Sequence, residues 1–290
     1  MSANPWRRVA LFALTLVAIA APAAAQPVAP VLVSVPLGRM QGFFTQQEVE
    51  IRAGVFRAAA PGGKALLVFR GWPGIANLEQ AGDAWRSLNF MRTQLAQFLE
   101  AGVSVVVVDC PTDQRALRDR GNPMACDDNY RSSTQHADDV RRLLERLRAE
   151  HGLTEPYLFG HSYGTISSKW LAVHLGEAIA GSIHSAAQTR GGGGPYASFG
   201  YTALSVDLAR AKAPALHVHH GRDQCPYTPY ATVVSYAAPG GLVTVRGGLT
   251  NGDPCGGTHY HSYEGREREA TRAIVRWIVS REVTEFAGEE

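Results

Sequence analysis

A serine flanked by two glycines sits between a strand pattern and a helix pattern in the segment Gly160–Gly164, GHSYG. Tyr157–Phe159 predicts a short buried strand, and Thr165–Leu175 predicts a helix. Such a sharp turn strains the serine backbone and raises the hydroxyl above the carboxyl edge of a sheet, near a helix N-terminus. The glycines fit because larger side chains would collide there. We therefore take Ser162 as the candidate nucleophile.

Strands and helices alternate along the rest of the chain. The 45% hydrophobic and 19% charged content of the 290 residues is that of a folded domain. The pattern predicts one α/β domain with a mostly parallel, eight-stranded sheet flanked by helices. The predicted strands are 31–35, 49–56, 65–69, 103–108, 157–159, 179–183, 215–218 and 242–245. The predicted helices cover 85–100, the region around 140–147, 165–175 and the region around 270–278. Ser185–Pro214 leaves room for a loop and not for a large cap.

The N-terminal residues 1–25 have the pattern of a secretory signal peptide. Arg7 and Arg8 precede an apolar run, and Ala23–Ala25 supplies small residues for cleavage. The working domain would then be 26–290, in the periplasm or secreted, with no membrane association. The formal net charge is +2, and removing two arginines makes it zero. No broad basic surface is implied, so nucleic acid is not an expected partner.

A serine hydroxyl needs a base to take its proton and a carboxylate to hold that base. Asp223 follows a predicted strand end by three residues, which is where the acid of such a set belongs. The base is His261 or His259, and we favour His261 because it lies closer to the last helix. The backbone amides of Trp72, in a Gly-Trp-Pro-Gly loop, and Tyr163 would form the oxyanion hole.

Other polar clusters carry weaker expectations. Arg131 and His136 are possible pocket residues, as is His161, although helix capping by Ser133 or Thr134 with solvated charges also explains the first region. The histidines at 217, 219, 220, 259 and 261 could suggest a metal site. No carboxylate or cysteine ligand set converges with them, so we expect no metal and no cofactor.

These segments together resemble the α/β-hydrolase superfamily, over the whole of the mature chain. The resemblance rests on Arg70–Gly74, the Gly160–Gly164 turn, Gly221–Asp223 and the C-terminal histidine pair. Arg70 replaces the histidine common in the first of these loops. The resemblance implies hydrolysis through a serine ester intermediate.

Three segments are similar to a narrower group of small exported bacterial hydrolases. They are Val108–Asp113, Arg131–Asp138 and Asp253–Cys255 with a histidine six residues further on. That spacing is a second reason to favour His261. The narrower resemblance implies no substrate.

The four cysteines lie in the exported part, where disulfides persist. Of the three possible pairings we predict Cys110–Cys126 and Cys225–Cys255. The second would hold the segment of Asp223 near the segment of its histidine.

The expected function is that of an exported serine hydrolase acting on small-molecule or polymeric carboxylic esters. The oligomeric state is left open. Within enzymes, a thioesterase, a peptidase or a polyester depolymerase has the same residues, because the triad does not choose the leaving group. A catalytically silent binding protein of the same fold is the alternative from another class.

Overall fold

The computed structural model describes residues 29–60, 62–117, 124–191 and 204–289. The predicted signal peptide therefore lies outside the described residues. None of the helices described has the length and apolarity needed to cross a bilayer.

A nine-stranded sheet forms the centre of the described structure. Its strands are β1 (Val31–Gln41), β2 (Gln47–Phe56), β3 (Lys64–Phe69), β4 (Ser104–Val108), β7 (Glu155–His161), β8 (Gly181–Ser185), β9 (Ala215–His220), β10 (Leu242–Val245) and β11 (Phe286–Ala287). A separate antiparallel pair consists of β5 (Arg115–Leu117) and β6 (Met124–Cys126). The order in the sheet is β1-β2-β4-β3-β7-β8-β9-β10-β11. The predicted mostly parallel sheet is confirmed, since among these strands only β2 runs against its neighbours.

Helices cover both faces of the sheet. They are α1 (Leu95–Glu100), α2 (Asp128–Arg131), α3 (Thr134–His151), α4 (Gly164–Leu175), α5 (Tyr230–Tyr236) and α6 (Glu267–Ser280). Alternate residues of β3 serve opposite cores: Leu66 packs with α1 and α6, whereas Leu67 packs with α3 and α4. A strand buried on both faces reads as a continuous apolar run, which is why β3 and β4 are recognisable in the sequence.

Two predictions about elements are corrected. Of the helix predicted over 85–100, only α1 is an α-helix. Two 3-10 segments precede α1. Asn89 has φ +50°, a left-handed conformation that interrupts a continuous α-helix. The sheet has nine strands and not eight, because the two-residue β11 pairs with β10. The predicted loop in place of a cap covers 186–214, of which 192–203 lie outside the described residues.

Candidate active site

Ser162 occupies the turn between β7 and α4 with φ +54°, in the left-handed region. The two glycines of the motif make this turn possible. A Cβ on Gly164 would lie 2.2 Å from the Phe69 carbonyl oxygen of β3. A Cβ on Gly160 would lie 2.4 Å from the Gly164 carbonyl oxygen. The chain thus crosses itself so closely that only glycine fits at both positions, and the serine is held at the carboxyl end of a central strand.

Asp223 lies in the loop after β9, residues 221–229, here called the acid loop. Its Oδ2 accepts hydrogen bonds from Thr228 Oγ1 at 2.8 Å and from His261 Nδ1 at 3.0 Å. Its Oδ1 accepts from the Cys225 backbone N–H at 2.9 Å. Burial alone would raise the pKa of this carboxyl, but hydrogen bonds from His219 and His261 lower it below its ordinary value. Asp223 is therefore an ionised, fully bonded carboxylate.

His261 lies in the segment between β10 and α6, residues 246–266, here called the histidine loop. Its Nδ1 faces Asp223, and its ring centroid lies 5.0 Å from that of His161, the residue before Ser162. His259, the alternative base, makes no hydrogen bond to Asp223 among the described residues, and its ring packs edge-on against Tyr260. The geometry thus brings the acid together with His261 and not with His259. Whether His261 acts as the base stays a prediction.

Both predicted disulfides are present. Cys225–Cys255 joins the acid loop to the histidine loop, and Cys110–Cys126 joins the end of β4 to β6. Since the Cys225 N–H also bonds Asp223, the first disulfide anchors the backbone that orients the carboxylate.

The loop after β3 packs directly on the serine turn. A Cβ on Gly71 would lie 3.3 Å from the His161 carbonyl oxygen and 3.7 Å from Ser162 Cβ. Trp72, with a cis peptide bond to Pro73, follows in this loop, and its ring packs edge-on against Tyr163 with centroids 5.6 Å apart. The two residues expected to supply oxyanion-hole amides therefore flank Ser162, and their role stays a prediction.

Three solved structures share this arrangement of strands and helices. A serine hydrolase without a lid from Xanthomonas campestris superposes with a TM-score of 0.50 at 16% identity, covering 88% of this chain and 95% of its own. Est1E from Butyrivibrio proteoclasticus gives a TM-score of 0.51 at 14% identity, covering 80% and 95%. A 2,6-dihydroxy-pseudo-oxynicotine hydrolase gives 0.51 at 16%, covering 81% and 66%. This chain has the α/β-hydrolase fold. No protein-family model and no curated protein matches the sequence.

Arg131 is a buried residue that packs against the serine turn. The side chain is only 2% exposed. Its Nε donates to Ser167 Oγ of α4 at 2.8 Å, and its Nη2 donates to the Arg70 carbonyl oxygen at 3.2 Å. The guanidinium carbon lies 4.3 Å from the Tyr163 ring centroid. Arg131 thus ties the loop after β3 to the helix that follows Ser162, and its place in a substrate pocket stays a prediction.

His136 and His161 are also buried beneath the site. His136 Nδ1 lies 3.1 Å from the Arg131 carbonyl oxygen, and burial lowers the pKa of the imidazole to about 3. Ser133, as one of the two proposed caps, accepts from the His136 N–H and begins α3. Burial lowers the pKa of His161 well below its ordinary value, and the charge of His261 lowers it further. Whether either histidine lines a substrate pocket stays a prediction.

A hydrogen-bond chain behind Ser162 involves residues that the sequence analysis did not identify. Tyr263 donates to the Val218 carbonyl oxygen at 2.8 Å, and Ser185 Oγ lies 2.7 Å from Tyr263 Oη. His161 Nδ1 lies 3.0 Å from Ser185 Oγ. Because Tyr263 uses its proton on a carbonyl, Ser185 donates to Tyr263 and accepts from His161. The chain therefore fixes the His161 ring, on which His261 packs. No motif marks such residues, since they lie on separate strands and on the histidine loop, and only the fold brings them together.

Proposed function

We propose that this protein is an exported serine hydrolase that cleaves carboxylic esters through an acyl-enzyme. The observation that carries the proposal is the contact between an ionised Asp223 and His261 at 3.0 Å, with the His261 ring packed against the residue that precedes Ser162. A serine on a strained turn, a histidine and a buried carboxylate at one sheet edge are the parts that acyl transfer requires.

In the proposed reaction, Ser162 Oγ attacks the ester carbonyl carbon while His261 Nε2 takes the hydroxyl proton. Asp223 holds the Nδ1–H side of the ring and stabilises the positive charge that forms. The Trp72 and Tyr163 amides hold the oxyanion of the tetrahedral intermediate. His261 then gives its proton to the leaving alcohol oxygen, and the acyl group stays on Ser162. A water molecule, deprotonated by His261, releases the acid and restores the serine.

Aromatic residues beside the turn favour an apolar group on the substrate. Trp72 of the loop after β3 and Trp170 of α4 are half-buried and pack against Tyr163 and Ile166. Such faces offer apolar contact area close to the proposed nucleophile. Esters with an aryl or short acyl group are therefore the first substrates to test.

Fluorophosphonate labelling with peptide mapping tests the proposal. We expect the probe on the peptide that contains Ser162, and we expect Ser162→Ala to abolish labelling and to lower kcat for an aryl ester by about 10⁴-fold or more. The matched control is Ser280→Ala, an exposed serine at the end of α6. Full hydrolysis by Ser162→Ala would refute the proposal, and a folded protein that the probe never labels would favour the silent binding protein. A panel of esters, thioesters and amides on the same sample then decides the bond that is cleaved.

We also propose export after cleavage behind Ala25. The N-terminal pattern and the two disulfides support it, since disulfides persist in oxidising compartments. Mass spectrometry of the exported fraction should find a mature N-terminus at Gln26, and a cytoplasmic protein with an intact N-terminus would contradict export.

A further inference from the structure

Asp223 receives a second imidazole besides that of His261. His219 Nε2 lies 3.2 Å from Asp223 Oδ2 and 2.8 Å from the Thr228 carbonyl oxygen. We propose that His219 is a positioning residue that shares the Asp223 carboxylate with His261 and limits the negative charge that reaches His261. The inference rests on the proposed function, because it assigns a second partner to the proposed catalytic acid.

The direction of these hydrogen bonds follows from their acceptors. A carbonyl oxygen only accepts, so His219 Nε2 must carry a proton, which it shares between the Thr228 carbonyl and Asp223 Oδ2. Thr228 Oγ1 and His261 Nδ1 donate to the same Oδ2. One carboxylate oxygen therefore has three side-chain donors, and His261 receives only part of its charge.

Burial makes this competition effective. The side chains of His219 and Asp223 are both 0% exposed. In a low-dielectric interior each hydrogen bond to a charged oxygen is stronger than in water, and bonds that share an acceptor weaken one another.

The position of His219 is rigid. It lies inside β9, in register with Thr244 of β10, and its ring packs against Tyr230 of α5 with centroids 5.9 Å apart. Its Nδ1 has no hydrogen-bond partner among the described residues, so Nε2 carries its polar contacts. The titratable groups around it are Asp223, His261, Tyr230 and the histidines at 161, 217 and 220. Of these, only Asp223 is hydrogen-bonded to His219.

Replacing His219 with phenylalanine keeps a planar ring and removes the donor. Oδ2 of Asp223 then interacts more strongly with protonated His261, so His261 should hold its proton to higher pH. We expect the acidic limb of the kcat/KM profile to move up by about 0.5–1 pH unit. We expect kcat to fall by about 10-fold, because the carboxylate loses one of the bonds that orient it.

His219→Gln and His219→Asn separate the hydrogen bond from the packing. The glutamine amide nitrogen reaches about as far as histidine Nε2, whereas the asparagine nitrogen corresponds to Nδ1 and falls short. The Gln variant should return the acidic limb of the kcat/KM profile to its wild-type position, and the Asn variant should behave as the Phe variant does. Comparing Gln with Asn also tests the hydrogen bond if the Phe variant fails to fold. His217→Phe is the matched control, since it removes a buried imidazole from the same face of β9 without touching Asp223.

Nitrogen NMR of histidine-labelled protein gives a second readout that needs no catalysis. The titration midpoint of His261 should rise in His219→Phe and return in His219→Gln. A fall in kcat with no movement of either the limb or the midpoint would reduce His219 to a structural role and overturn the proposal. An equal shift in His217→Phe would also overturn it. A shifted midpoint in a protein that hydrolyses nothing would support the inference and reject the proposed function alone.

Discussion

Acidification should remove a large part of the folding free energy of this protein. Four of the buried histidines carry this effect: His136 beneath the serine site, His161 within it, and His184 and His217 side by side on β8 and β9. Burial lowers the pKa of His136 and of His217 to about 3, and it lowers the pKa of the other two well below the ordinary value. In the unfolded chain all four regain an ordinary value near 6.5.

The sign follows from proton binding. Between pH 6.5 and pH 3 the unfolded imidazoles bind protons that the folded ones do not, so stability falls as the pH falls through this window. Each pKa unit corresponds to about 1.4 kcal/mol. From pH 7.5 to pH 5 a histidine with a folded pKa of about 3 therefore costs about 2 kcal/mol, and His136 and His217 together cost about 4 kcal/mol. That is a large share of the roughly 5–15 kcal/mol that stabilises a typical domain.

Urea unfolding at pH 7.5, 6.5, 5.5 and 5.0, without reductant, measures this loss. His217→Phe should retain about 2 kcal/mol more of its stability at pH 5, relative to its own value at pH 7.5, than the wild type does. Tyr236→Phe is the matched control, because its ring packs against His217 at 5.2 Å and its hydroxyl does not titrate below pH 7. An unfolding free energy that stays constant between pH 7.5 and 5 would refute the reasoning.

Three further outcomes follow from buried or tightly packed groups. Burial lowers the pKa of Lys169 to about 7, so the unfolded chain binds the extra proton between pH 7 and 10.5 and stability rises with pH there; Lys169→Met should remove about 2 kcal/mol of that rise between pH 7 and 9, measured by urea unfolding. Gly164→Ala places a Cβ 2.2 Å from the Phe69 carbonyl oxygen and should cost about 1–3 kcal/mol or more together with most ester hydrolysis; an unchanged urea midpoint would contradict this. Replacing Cys225 and Cys255 together with alanine opens a closed loop of 30 residues and should cost about 3–4 kcal/mol and lower kcat, whereas unchanged kinetics would show that the acid loop holds itself.

The fold and the serine turn could be predicted because their signals are local. The elbow is a contiguous pentapeptide, and Asp223 follows the end of a readable strand. The choice between His259 and His261 is of another kind, because both lie in one loop and only the path of that loop decides which of them meets Asp223. Sequence spacing favours one of the two histidines, but it does not give the distance between either ring and Asp223 in the folded protein.

Residues that support the site are harder to identify from the sequence, because their residue types ordinarily indicate a different environment or role. Arg131 is a charged residue in a segment beside the site, and charge ordinarily indicates exposure. It is buried instead, because Ser167 and the Arg70 carbonyl accept its hydrogen bonds. His219 belongs to a run of histidines that suggests a metal until the register of β9 turns it toward the acid loop. In both cases the role depends on partners that are distant in the chain.

The left-handed conformation of Ser162 links stability to the proposed chemistry. A non-glycine residue at positive φ costs about 1–3 kcal/mol, and it persists only where the surroundings impose it. Here the Ser162 N–H donates to the Ser185 carbonyl oxygen of β8 at 2.9 Å, and its own carbonyl accepts from the Thr165 N–H at 2.9 Å. The sheet thus holds one side of the residue and the helix holds the other. The same two bonds fix the backbone that carries the hydroxyl, so the interactions that offset the strain also hold the proposed nucleophile in place.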